Sequence, residues 1–295
     1  MKLGLAVLAA ACAVSGLPAQ ADAIRSGTVE LPSATLFYRE SGSGRPALFV
    51  HALLLDSRLW VDQLRDLADL RHSHAPDMSG FGFSSPIAAE KIDFERYADE
   101  LLAFMDARGI TEPVDVVGLS AGGTIAALAY RKAPTRFRSM VLISTGFADG
   151  GIDPAAARYR AENARTIVIE GRDTLFRRFN EYIVGPNASL FARARYKTMV
   201  EQTPYESHVA FLTTTDLPQL ADLPGKVTIP VMIPVGRDDS VVSVAMAEKT
   251  AREFRDARVV KVPVAGRLLP LEAPAALNDA IRAFWNEVDK GADTK

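Results

Sequence analysis

The sequence predicts an α/β fold: a mostly parallel twisted sheet with helices on both faces and an inserted helical cap. Three observations carry this. Short β-rich runs alternate with longer helical ones from about residue 28 to 145 and again from Val231 onward, the pattern of strands joined by crossover helices. The strand-like run Val114-Asp115-Val116-Val117 leads into Gly118-Leu119-Ser120-Ala121-Gly122 and then into Ile125, Ala126, Leu128 and Ala129 at helical spacing. Between about Gly146 and Leu223 the alternation stops: Gly150-Gly151 opens the segment, Pro186, Pro204 and Pro218 interrupt it, and the runs between them read as helical.

The elements follow in order. Thr28 to Leu31 and Thr35 to Arg39, separated by Pro32 and Ser33, read as an opening hairpin. Ala47 to His51 is a continuous apolar strand, Leu59 to Leu70 a helix, and His72 to Pro76 a strand ending before Asp77. Phe94 to Arg108 places Tyr97, Leu101, Leu102 and Phe104 on or near one helical face. After the strand at Val114 to Val117 come a helix over Ala121 to Lys132 and a strand at Met140 to Ser144. The rhythm resumes with Val231 to Val235, a helix near Val244 to Phe254, a strand at Arg258 to Val262 and a helix from Pro274 to Asn286, proline suiting a first helical position. The expected organisation is 24–146 and 224–295 as the core and 147–223 as the cap.

Residues 1 to about 23 read as a removable export signal, giving an expectation of a periplasmic or secreted protein. Met1-Lys2 is followed by an apolar stretch from Leu3 to Leu17, too short to span a bilayer comfortably, and by Ala19-Gln20-Ala21 and Ala21-Asp22-Ala23 as small-residue cleavage sites. A buried N-terminal helix or a membrane anchor is the other reading of that run. Cys12, the only cysteine, lies inside it, so the remaining chain has no thiol or disulfide chemistry. After signal removal no membrane span is expected.

The chain of 295 residues balances 34 Lys plus Arg against 36 Asp plus Glu, with no run of one sign. That excludes an electrostatic footprint for nucleic acid. No pattern assigns an oligomeric state.

A G-x-S-x-G turn works chemically because glycines on either side clear room for a sharp strand-to-helix bend that lifts the serine hydroxyl above the sheet. The following helix aims backbone N–H groups at the reacting centre. Helix capping by Ser120 is the bland alternative, but a cap does not account for both glycines.

Several segments together resemble the α/β-hydrolase family, in particular its small esterase, enol-lactonase and haloperoxidase-like members. Beside the serine turn these are Leu48-Phe49-Val50-His51-Ala52, Asp56-Ser57-Arg58-Leu59-Trp60, and the stretch from Ala75-Pro76-Asp77 through Gly80-Phe81-Gly82-Phe83-Ser84. The resemblance spans about residues 28 to 288 and implies an α/β-hydrolase fold with Ser120 as nucleophile. It implies backbone donors at Leu53 and Ala121 for an oxyanion hole, and, in Val235-Gly236-Arg237-Asp238-Asp239, an acid at Asp239 rather than Asp238.

Two positions depart from the family's pattern. Ala52 stands where glycine usually follows the histidine, and a Cβ there could bend the oxyanion loop. Arg267, in Ala265-Gly266-Arg267-Leu268-Leu269-Pro270-Leu271-Glu272-Ala273-Pro274, stands where the base histidine belongs, and no histidine follows His208. Histidine takes the serine proton near neutral pH, whereas guanidinium stays protonated and has no acceptor. Arg267 therefore cannot be the general base. His51, His72 and His74 read as packing and hydrogen-bonding residues, with His208 in the cap the outside candidate for a substitute base.

Arg267 beside Asp239 is expected to form a charge-assisted pair and to present a fixed positive charge near Ser120, suited to a small anionic or carbonyl ligand. Phe176, Phe179, Tyr182, Leu190, Phe191, Tyr196, Met199 and Phe211 are expected to line or cover a pocket, or to be plain core. No metal and no cofactor is implied, since no cysteine or histidine cluster has ligand spacing and no glycine loop cradles phosphate. The expectation is an exported serine-hydrolase-like protein for small carboxylic esters or lactones with an incomplete triad and weak activity. The alternative is a non-catalytic member, a pseudoenzyme that binds a small molecule or a protein partner.

Overall fold

The computed structural model describes residues 23–87, 91–145, 183–214 and 220–292, with positions 162, 174 and 218 between them. The export-signal reading of residues 1 to about 23, including Cys12, and the readings of Phe176, Phe179 and Tyr182 fall outside the described residues.

The strands are β1 (Arg25–Glu30), β2 (Thr35–Ser41), β3 (Pro46–Val50), β4 (His72–Pro76), β5 (Val114–Leu119), β6 (Phe137–Ile143), β7 (Val231–Gly236) and β8 (Ala257–Val262). They form one sheet in the order β1-β2-β4-β3-β5-β6-β7-β8. The β1–β2 and β2–β4 pairs are antiparallel and the remaining pairs parallel. The helices are α1 (Val61–Asp66), α2 (Phe94–Ala107), α3 (Ala121–Lys132), α4 (Leu190–Gln202), α5 (Tyr205–Thr213), α6 (Val244–Glu253), α7 (Leu269–Glu272) and α8 (Pro274–Ala292).

Period-two alternation explains how the sheet is covered on both sides. Leu48 and Val50 of β3, with Val114 and Val116 of β5, pack into one apolar cluster with Phe104 of α2 and Leu128 of α3. Ala47 and Phe49, with Val117 and Leu119, pack into the other with Leu64 of α1 and Ile281 and Trp285 of α8. Phe49 lies 5.3 Å from Trp60 and 6.2 Å edge-on from Trp285 between ring centroids, and both tryptophans are fully buried. The helix expected over Leu59 to Leu70 is shorter: a 3-10 turn over Ser57–Trp60 leads into α1, which ends at Asp66. The sequence reading did not resolve α7 as an element of its own.

The 3-10 turn is started by Asp56, whose buried carboxylate accepts from the Arg58 N–H at 2.9 Å and from the Arg58 guanidinium at 2.8 and 2.6 Å. Burial alone pushes this carboxyl up, but the hydrogen bonds and charge of Arg58 outweigh it and hold the group below its ordinary value. An Asp with a lowered folded pKa contributes stability that is complete above the unfolded value of about 3.9 and is lost as pH falls through the folded value. Asp56→Asn is thus expected to cost about 1.5–3 kcal/mol of stability at pH 7, the scale of a charge-assisted hydrogen bond, seen as a lower melting temperature. The gap to the native chain should begin to narrow below about pH 4 and close as pH falls through the lower folded value, which thermal melts at pH 7 and across the acid range measure.

The stretch between β6 and β7 contains α4 and α5, both helical as the sequence reading expects. Ser189 caps α4, accepting from the Ala192 N–H at 3.1 Å. Both helices dock on loops at the C-terminal ends of the strands. Thr203 Oγ1 donates to Leu54 O at 3.0 Å, Ser207 Oγ donates to Gly80 O, and Arg195 donates to Arg58 O at 2.9 Å and pairs with Asp62. Tyr196 and Met199 are buried in the core, and Phe211 packs against the core on the other face. Leu190 and Phe191 are 86% and 70% exposed, which rules out the core reading for both. They occupy the first turn of α4, and the helix meets the core through residues further along, from Ala192 to Val200.

Candidate active site

Ser120 follows β5 directly and opens α3. Its backbone sits at φ 54° and ψ −117°, a conformation that costs a non-glycine residue of order 1–3 kcal/mol. The capping alternative fails on geometry. Ser189 and Ser243 adopt φ of −62° and −66° and accept cap hydrogen bonds from their helices, whereas Ser120 makes no side-chain cap bond. The bend is pinned by the Ser120 N–H donating to Ile143 O at 2.9 Å and by its own carbonyl accepting from Gly123 N–H, Thr124 N–H and the Thr145 hydroxyl.

The glycine after the elbow sets what lies beside the serine. A Cβ on Gly122 would stand 2.1 Å from Val50 O and 2.7 Å from His51 O. Only glycine lets α3 seat its first turn against the end of β3, and that contact brings the 51–54 turn alongside Ser120. His51 fixes this turn: its Nδ1 donates to Ala52 O at 2.8 Å while its Nε2 accepts from the Met78 N–H at 2.9 Å. A carbonyl can only accept and an amide can only donate, so the tautomer is set and the acceptor nitrogen is occupied. His51 is a structural clamp and no substitute base. The positive φ of the turn falls at Leu54 (66°) and not at Ala52, so alanine is carried there without backbone strain. Among the described residues, neither the Leu53 nor the Ala121 N–H enters a turn, loop or cap hydrogen bond.

Asp77 closes the next loop by accepting from the Ser57 N–H at 2.7 Å and the Phe83 N–H at 2.9 Å. Burial, reinforced by the neighbouring Asp56 charge, pushes its carboxyl up. Gly82 at φ 55° lies so close that a Cβ would meet Asp77 Oδ2 at 2.0 Å, which accounts for the glycine of that motif.

Asp239 follows β7 and is buried. Its Oδ1 accepts from the Val241 and Val242 N–H groups at 2.8 and 3.0 Å, while its Oδ2 has no hydrogen-bond partner among the described residues. Asp238 turns outward to Asn187 at 3.3 Å. Between Ser120 and Asp239 stands Arg267, whose side chain is 12% exposed. Its Nη2 donates to Ser120 Oγ at 2.5 Å and its Nη1 lies 3.7 Å from Asp239 Oδ1. In space the arginine stands between Ser120 and Asp239, at the position where the sequence reading expects a base histidine. The 3.7 Å separation is an ion pair rather than a close hydrogen bond. Among the described residues no other side chain hydrogen-bonds Ser120 Oγ. His208 is buried on α5, where its Nδ1 donates to Pro204 O at 3.1 Å.

Glu272 was not singled out as a functional residue by sequence reasoning. Its carboxylate accepts from the N–H groups of Gly266 at 2.8 Å, Leu268 at 3.0 Å and Gly185 at 3.2 Å. It therefore holds both backbone neighbours of Arg267, whatever side chain position 267 carries. The signal was present as an acidic residue directly before Ala273-Pro274. The linear reading also saw no ligand-spaced histidine cluster, whereas the fold brings Glu40, His72 and His74 together at the other end of β4.

A strained serine on a strand-to-helix elbow, a buried acid after a later strand and the His51-held turn together match the arrangement that the sequence reading expects of a serine hydrolase. The chain belongs to the alpha/beta hydrolase fold family, whose model matches residues 46–274. A stretch of 113 residues is 35% identical to the non-heme chloroperoxidase CPO-A1 of Kitasatospora aureofaciens, covering 37% of this chain and 40% of that relative, less than half its length. Lipase 3 of Moraxella sp. (strain TA144) is 23% identical over 255 residues, covering 84% of this chain and 79% of the lipase. In structure the chain is similar to a malate-bound thermophilic esterase from Thermogutta terrifontis, with a TM-score of 0.81, 26% identity, and coverage of 90% of this chain and 99% of that one.

Proposed function

We propose that this chain is an exported serine-hydrolase-like protein that acts slowly on small carboxylic esters or lactones, its turnover suppressed by Arg267. The carrying observation is the guanidinium bridging Ser120 Oγ and Asp239. Attack by Ser120 on an ester carbonyl needs the hydroxyl proton removed as the C–O bond forms. A guanidinium donates to Oγ and offers no lone pair in return, so that proton has no acceptor among the groups bonded to the serine. The proposed oxyanion donors, the N–H groups of Leu53 and Ala121, remain as main-chain groups and can still stabilise a tetrahedral intermediate. Such a residue set retains about 10³–10⁴-fold catalysis over water. The stretch 147–223 is proposed as a cap over the site, and residues 1 to about 23 as the export signal that directs the chain to the periplasm or the medium.

The fixed charge of Arg267 favours substrates that carry a carboxylate near the scissile bond, and the malate-bound esterase relative fits that preference. The same guanidinium supports a second reading, in which the pocket binds an anionic small molecule without turning it over. Initial rates with a short-chain activated ester separate the two. The native chain is expected to exceed Ser120→Ala by a small but measurable factor, and equal rates would leave only the non-catalytic reading.

A further inference from the structure

A second cluster lies at the opposite end of the sheet, and it stands independently of the reading proposed for Ser120. Glu40 on β2 is directly across from His74 on β4. His72 lies two residues from His74, so the three side chains share one face. The cluster sits at the N-terminal end of the parallel strands, where His72 pairs with Pro46, the first residue of β3. Ser120 follows the C-terminal end of β5.

The distances do not describe a hydrogen-bonded cluster. Glu40 Oε2 is 3.4 Å from His72 Nε2 and 3.4 Å from His74 Nδ1. Both nitrogens are buried and neither has a hydrogen-bond partner among the described residues. The His74 side chain is 2% exposed. A charge-assisted bond between imidazole and carboxylate closes to about 2.7–2.9 Å. Two ligand atoms held about 2.0–2.1 Å from a tetrahedral zinc-type ion stand about 3.3–3.4 Å apart. One ligand atom from each of the three residues lies within 4.8 Å of the other two. The imidazole centroids lie 4.2 Å apart with the ring planes tilted by 47°, two rings converging on one carboxylate. Both histidines also line a cavity of about 190 Å³ with Gly44, Arg108 and Thr111, which leaves room for a water molecule as fourth ligand.

We propose that Glu40, His72 and His74 form a binding site for a zinc-type divalent cation that ties β2 to β4, remote from the serine. The donor set of two imidazoles and one carboxylate is among those that bind zinc with an open fourth position. Two cations already attend the carboxylate: Arg108 Nη2 at 2.8 Å from Oε2 and Arg25 Nε at 3.4 Å from Oε1. Arg108 competes with the metal for the same oxygen. Its removal therefore tightens binding, while removal of a ligand weakens it.

The test is calorimetric titration of the untagged chain with Zn²⁺, beside the visible absorption of the Co²⁺-loaded chain as a readout of four-coordination. The expected result is one ion per chain, at least tenfold weaker binding in His72→Ala and Glu40→Gln, and tighter binding in Arg108→Gln. Melting temperature should rise with Zn²⁺ in the native chain and not in Glu40→Gln. His72 is a third exposed and Glu40→Gln is isosteric, so both variants are expected to fold, which their melts without metal check. Absence of binding overturns the proposal, as does binding that is unchanged in both ligand variants. Ser120→Ala should bind Zn²⁺ like the native chain, which separates this outcome from any result at the serine.

Discussion

Replacing Arg267 with histidine is expected to raise the hydrolysis rate of a short-chain activated ester by several powers of ten. The ceiling is set by comparable triads, in which losing the histidine costs about 10⁶ in turnover, roughly 8 kcal/mol of barrier. Three features make the gain large. The loop that carries residue 267 is held by Glu272 through the N–H groups of Gly266 and Leu268, bonds that do not involve the 267 side chain. Asp239 already has its Oδ1 held by two backbone N–H groups, and its Oδ2 has no hydrogen-bond partner among the described residues, so it can accept from an imidazole. Ser120 is already strained into the elbow conformation.

A histidine there would accept the serine proton at one nitrogen while Asp239 orients the other. Its rate should climb with pH through about 6.5 as the base loses its proton, a limb the native chain lacks. Initial rates of the native, Ser120→Ala, Arg267→His and doubly substituted chains across pH measure this. A gain below tenfold in a folded Arg267→His protein would mean that the block lies elsewhere, with the oxyanion turn around Ala52 the next place to look.

The second large effect is on stability. Arg71 is 3% exposed and donates to Asp115 Oδ2 at 2.7 Å and to both oxygens of Asp289 at 3.0 and 3.1 Å, with its guanidinium 5.0 Å above the Trp285 ring. Asp115 is fully buried on β5, and its other oxygen accepts from Ser139 Oγ. Arg71→Met leaves that carboxylate with Arg138 as its one remaining cation among the described residues, at 3.1 Å. Breaking a buried pair from one side costs about 3–5 kcal/mol, because the surviving charge stays desolvated. Arg138 places this case at the lower end. The expected result is a fall in melting temperature of roughly 10 °C, read by calorimetry. A double substitution of Arg71 and Asp115 by apolar residues should recover part of it, since no charge is then left buried alone.

Local pattern was enough for most of the scaffold. The short apolar runs at Ala47 to His51 and Val114 to Val117, helical spacing in Phe94 to Arg108 and the glycines around Ser120 each carry their own structural instruction, because strands, helix faces and tight turns depend on a few adjacent residues. That Arg267 cannot act as a general base was equally legible, since a guanidinium lacks an acceptor in any surroundings. The exposure of Leu190 and Phe191 was not legible, because which turn of a helix meets the core depends on how that helix docks.

Three facts about the sites required the tertiary structure. Arg267 turns one nitrogen to Ser120 and another toward Asp239, residues far apart in the chain. Glu272 holds the loop that places it through main-chain groups, which leave no mark on side-chain patterns. Glu40 meets His72 and His74 only through the antiparallel register of β2 and β4. Local sequence determined which groups this protein carries and what each can do chemically, whereas long-range pairing and packing decided which of them stand within reach of one another.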